Sequence, residues 1–121
     1  MSPGELLSID VALSFLGGDE TIFFELVKVF LEDAPENMKI LKHAIDERDV
    51  ELIRRQTHNF ISNAGSIGSE RLKNAATTMN RYAKDGKLDE IRMLFSEFER
   101  EMNEAFDQLT AWAQGREHDE S

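Results

Sequence analysis

The sequence predicts an all-α chain: an up-down-up-down antiparallel four-helix bundle with a short N-terminal helix capping one end. Three observations carry that expectation. Only two prolines and seven glycines punctuate 121 residues. Between the breaks, apolar side chains recur at helical spacing. The breaks are short, which makes consecutive helices antiparallel neighbours. With 40% apolar residues the chain can fill one continuous core, and at this length it cannot fill two.

The first segment, residues 6–16, is short and apolar, and Gly17-Gly18 stops it. Asp19 then stands where the next helix wants an N-cap. Ile22, Phe23, Leu26, Val27, Phe30 and Leu31 form the apolar stripe of that helix. Pro35 lacks a backbone donor and crowds the preceding turn, so a kink or restart is expected near residues 33–35. Met38, Leu41, Ala44 and Ile45 carry the apolar face onward. A third helix is expected from about residue 49 to 62 or a few positions further, and a fourth from 69 to about 84. Gly65 and Gly68 are expected to supply the turn between them. In the last helix Leu88, Ile91, Phe95, Phe98, Met102, Ala105, Leu109 and Trp112 alternate three and four apart, a seam for left-handed bundle packing over roughly 37 Å. Residues 1–113 are read as the domain and 114–121 as a polar, disordered tail.

Composition removes several classes of function. Fourteen Lys+Arg against twenty-four Asp+Glu leave a net charge of −10, which repels nucleic acid and anionic lipid. Cysteine is absent, which excludes disulfides, zinc-thiolate and iron–sulfur sites and a thiol nucleophile. No apolar run approaches the ~18 residues of a membrane span, and the first ten residues lack the pattern of a signal peptide, so a soluble cytoplasmic protein is expected. A di-iron bundle needs Glu-x-x-His pairs, but Ile40, Arg55 and Gly115 precede the three histidines. There is no Gly-rich phosphate loop, Ser/His/Asp set or metal-ligand spacing, so a classical enzyme is not expected.

His58 is the candidate for chemistry. His118 falls in the tail, and His43 belongs to a solvated flank. On the third helix Val50, Ile53, Thr57, Phe60, Ile61 and Ala64 group into one stripe, and His58 lies roughly 110° from its centre, pointing outward or to the stripe's edge. Arg54 and Arg55 sit about one turn before it, and their guanidinium groups suit phosphate oxygens. Ser62 and Gly65 follow it, small enough to leave the ring standing clear for a second protein. Residues 54–87 sum to +5 and the remainder to −15, an asymmetry that suits docking against an acidic partner site.

The stretch 57–72 resembles the signature of histidine-containing phosphotransfer (HPt) domains: Thr57-His58-Asn59, Ser62-Asn63-Ala64-Gly65, Ile67-Gly68-Ser69, then Arg71-Leu72. That signature runs loosely His-x-Leu-Lys-Gly, then Ile/Leu-Gly, then a helix opening. Leu16-Gly17-Gly18-Asp19-Glu20, Phe30-Leu31-Glu32-Asp33-Ala34-Pro35 and the acidic last helix extend the resemblance over nearly the whole chain. It implies a phosphorelay intermediate without its own ATP site. His58 would take a phosphoryl group from a receiver-domain aspartyl phosphate and pass it to another receiver's aspartate. The implied partners are response-regulator receiver domains, including that of a hybrid histidine kinase. The chain would be a monomer with no cofactor of its own, Mg²⁺ belonging to the receiver.

The chain departs from the signature twice. Ile61 stands where the family usually has Lys, and Ser62 where it usually has Gly. Arg54, Arg55 or Lys84 would supply the missing cation, and Asn80 matches by spacing the amide that some family members place against the histidine. The missing lysine motivates an alternative: a non-transferring module of the same fold that binds a receiver or kinase. A third reading, self-association through the 88–112 seam, requires that seam to lie outside the bundle's own core.

Overall fold

The computed structural model describes residues 6–120, with side chains as far as Arg116. The chain is all-helical: α1 (Ile9–Phe15), α2 (Glu20–Asp46), α3 (Val50–Ser66), α4 (Glu70–Lys84) and α5 (Leu88–Glu120). Residues 1–5 of the expected domain, Ser121 of the expected tail and the His118 side chain lie outside what is described. Four helices open on a side-chain cap. Oxygens of Ser8, Asp19, Asp49 and Ser69 accept the N–H groups of Val11, Ile22, Leu52 and Leu72. Each such cap contributes about 1 kcal/mol by occupying a donor the first turn leaves free.

Three expected boundaries differ. α2 runs unbroken through Pro35, so the helix does not restart near 33–35; Pro35 lies on the exposed side of the helix. α3 continues to Ser66, and Gly65 is an ordinary helical residue within it, not part of the turn. Gly68 alone makes that turn, with φ at +79°. A Cβ there would come within 2.5 Å of the Ser8 carbonyl oxygen, while the Ser8 N–H donates to the Gly68 carbonyl at 3.0 Å. α1 is thereby seated on the α3–α4 turn. At the other end of the chain, α5 passes residue 113 and continues to Glu120. Within that extension Arg116 pairs with Glu20 at 2.7 Å.

α3 and α4 make the most extensive contact, and α2 and α4 each also pack on α5, with α2 against α3. The core between them is apolar and fully buried at Phe23, Leu41, Ile53, Phe60, Leu72, Met79, Ile91, Phe98 and Leu109. Phe60 and Phe98 meet edge to face, with ring centroids 5.4 Å apart, the arrangement that ring quadrupoles favour. Ile91, Phe95, Phe98, Met102, Ala105 and Leu109 are all buried. The α5 seam therefore faces the molecule's own interior, which removes it as a self-association surface. No described helix is long and apolar enough to cross a membrane.

Candidate functional site

The site is built on α3. Asp49 caps it, and Ile53, Thr57, Phe60 and Ala64 are buried on one side. At 100° per residue this turns His58, Ser62 and Gly65 outward, and all three are exposed. Among the described residues nothing hydrogen-bonds the imidazole, and the residue is exposed. The ring borders an open depression of about 340 Å³ between α3 and α4, lined also by Glu51, Arg54, Arg55, Asn80 and Lys84. The four residues that sequence reasoning grouped with His58 thus meet at one place, two from each helix.

They are not equivalent. Arg55 and Lys84 are exposed and, among the described residues, make no ion pair. Lys84 also lies in the last turn of α4, where the helix dipole favours a cation. Arg54 is engaged: its guanidinium contacts the Glu51 carboxylate at 3.0 Å, and its Nε is buried without a partner. Glu51 is the member of the site that sequence reasoning missed. Its position three residues before Arg54, on the same helix face, is the signal that could have found it.

Asn80 departs from its expected role. It makes no hydrogen bond to the imidazole; its amide donates to the Arg54 carbonyl at 2.9 Å and to Thr57 Oγ1 at 3.0 Å. The physical reason is register: Asn80 reaches α3 one turn below the ring. Ile61, in the position of the family's lysine, is partly buried and packed against the core. A cation there would have to leave that packing to reach an anion. Of the cations in 54–87, Arg71 is held by the buried Glu101 carboxylate at 3.1 Å, and Lys87 lies over the Tyr82 ring. Only part of the local positive charge is therefore free to meet a partner.

Gly65 has a different logic from Gly68. A Cβ at Gly65 would meet nothing within 4 Å, so no internal packing requires the glycine. Glycine inside a helix costs about 1 kcal/mol relative to alanine. What it supplies here is low relief beside the imidazole. On the side of α3 away from Asn80 and Lys84 runs a shallow groove lined by Leu26, Val29, Phe30 and Asp33 of α2 with Asn63, Ser66 and Ile67. Val29 and the nearby Ile22 are about half exposed. The imidazole thus stands on a low ridge between a cationic flank and an apolar one. Its geometry suits a nucleophile that must be reached by another protein's charged group. His43 is exposed near the end of α2, away from this depression.

The family model described as Hpt domain matches residues 25–112 of the chain. Among solved structures, the chain is similar to the crystal structure of histidine-containing phosphotransfer protein B from Pseudomonas aeruginosa PAO1. Identity is 22% and the TM-score 0.82, with 94% of this chain and 97% of that chain covered. At that identity the likeness establishes the fold. No curated protein sequence matches.

Proposed function

The chain belongs to the Hpt domain family, whose members are phosphocarrier modules without an ATP site, and on that premise we propose that His58 is the phosphorylated nucleophile of a cytoplasmic phosphorelay carrier. Its donor and acceptor are response-regulator receiver domains, one of them that of a hybrid histidine kinase. The packing of the four long helices is read as an up-down-up-down antiparallel bundle capped by α1. Residues 1–113 are read as the carrier domain, acting as a monomer.

The observation that carries this reading is an exposed imidazole beside a depression lined by cations from two helices. A neutral imidazole carries one unprotonated ring nitrogen, and on an exposed ring that nitrogen can be reached by a second protein. That lone pair attacks phosphorus in line. The N–P bond forms as the P–O bond to the receiver's aspartate breaks, and the electron pair leaves with the carboxylate. The positive charge left on the ring is relieved when the proton on its other nitrogen passes to solvent. Transfer onward reverses these steps. The transition state is loose, with charge spread over the phosphoryl oxygens, so alignment and cationic stabilisation supply the catalysis. Arg55 and Lys84 fill the latter role directly. Arg54 joins them by exchanging the Glu51 carboxylate for a phosphoryl oxygen. Mg²⁺ is held by the receiver.

Acid-labile phosphate should appear on the wild-type chain after mixing with a phosphorylated receiver, persist in His43→Gln, and be lost completely in His58→Gln. Failure to label with every receiver of the source genome sinks the reading. The core-packed Ile61 favours a second reading, a binding module that does not transfer; retained receiver binding without labelling selects it.

A further inference from the structure

We propose that Asn80, acting through Thr57, is a positioning residue for His58, fixing the helical turn that carries the imidazole against the helix that carries Lys84. The inference rests on the phosphotransfer reading of His58 and concerns how its ring is aimed.

The two donors of one amide are both directed at α3. Asn80 donates to the Arg54 carbonyl at 2.9 Å and to Thr57 Oγ1 at 3.0 Å. Thr57 has no exposure, and its hydroxyl donates to the Ile53 carbonyl at 2.8 Å. In the i to i−4 pattern of an α-helix, the Arg54 carbonyl is the acceptor for the His58 backbone N–H, and the Ile53 carbonyl is that for Thr57. One side chain of α4 therefore grips both consecutive carbonyls beneath the imidazole, one directly and one through the threonine hydroxyl. Neither Asn nor Thr is a favoured residue for a helix interior, and an apolar pair could fill the α3–α4 contact. A mutually satisfied polar network instead specifies one register between the helices. Asn80 and Lys84 are one turn apart on the same face of α4. The clamp thus holds the turn of α3 that carries the imidazole in fixed register with the turn of α4 that carries Lys84, so that nucleophile and cation are presented together to an incoming phosphoryl group.

The test compares Asn80→Ala, Thr57→Val, the double variant and Thr57→Ser, each well below its melting temperature. Labelling by phosphoramidate, a small donor that needs no docking, is read beside receiver-dependent transfer and the NMR resonances of the His58 ring and amide. Each single variant should lower receiver-dependent kcat about tenfold with KM nearly unchanged. The double should be no slower than either single, and Thr57→Ser should restore the rate by keeping the hydroxyl. Exchange of the His58 amide should accelerate relative to that of Leu109. Lowered melting temperatures with unchanged kcat and unchanged His58 ring resonances would reduce the clamp to a packing device and overturn the proposal. If the wild type takes no phosphate from either donor, the phosphotransfer reading fails instead. The ring resonances of Asn80→Ala then decide the aiming of the imidazole on their own, a shift supporting it and identity with wild type overturning it.

Discussion

The α3–α4 flank and the place where the start of α2 meets the end of α5 treat charge and bulk in opposite ways. At the second, side chains are matched within the chain. Trp112 meets Phe23 edge to face at 5.0 Å and Phe24 at 6.2 Å, Lys28 lies over the Phe24 ring, and Arg116 binds Glu20. Around His58 the reverse holds: among the described residues Arg55 and Lys84 make no ion pair, and the ridge beside the ring carries a serine and a glycine. The contrast teaches that a docking site is recognised by what it leaves unsatisfied. A cation already paired inside the chain, such as Arg71 with Glu101, must break that pair before it can serve an incoming phosphoryl group.

The comparison is broken most severely by filling the ridge. Gly65→Trp should lower receiver-dependent transfer by about a hundredfold by displacing the partner from the imidazole, with little effect on folding, because the position is exposed and a Cβ there meets nothing within 4 Å among the described residues. Gly65→Ala should raise stability by about 1 kcal/mol, seen as a higher midpoint in urea. Loss of transfer with intact stability would separate external from internal demand at one residue.

The next effect belongs to the aromatic junction. Trp112→Ala should cost about 2–3 kcal/mol, since the ring is only partly buried and full aromatic truncations cost somewhat more. Its transfer rate, measured where the variant remains folded, should match wild type. A slowed transfer in that variant would show that the two regions are coupled rather than separate.

The smallest effect is electrostatic. Arg55→Ala and Lys84→Ala should each slow receiver association several-fold at low ionic strength, with the deficit shrinking as salt shortens the Debye length to about 3 Å at 1 M. Both should leave the melting temperature nearly unchanged. A salt-independent loss would mean that these side chains act on the bound phosphoryl group alone.

Much of this was legible before any coordinates. The cap at Asp19, the helix starts near 49 and 69, the α5 seam and the outward azimuth of His58 all follow from local chemistry and helical period, which involve neighbours within a few residues. Three things were misread for a common reason. Pro35 was expected to kink or restart its helix and the restart is absent, Gly65 was expected to make a turn, and Asn80 to bond the imidazole. Each expectation weighed the residue's own tendency without the element packed against it. The helix runs through Pro35 because the turns on both sides of it bury apolar residues, Phe30 and Ala34 before, Leu41 and Ala44 after. Gly65 stays helical because Ala64 and Ile67 on its two sides are buried.

Period, capping and the absence of breakers determined by themselves that the chain is helical, which stripe of each helix is apolar, and that one histidine faces outward about a turn after two arginines. Those properties depend on bond geometry and short-range spacing, which travel with the sequence. Only the tertiary structure decided which cations are free, which carboxylate holds Arg54, and what Asn80 grips. What Asn80 grips, and which side chains of α4 join the arginines of α3, depend on the register of α4 against α3, and a shift of one residue there would rotate every side chain by 100° and dissolve the grouping around His58.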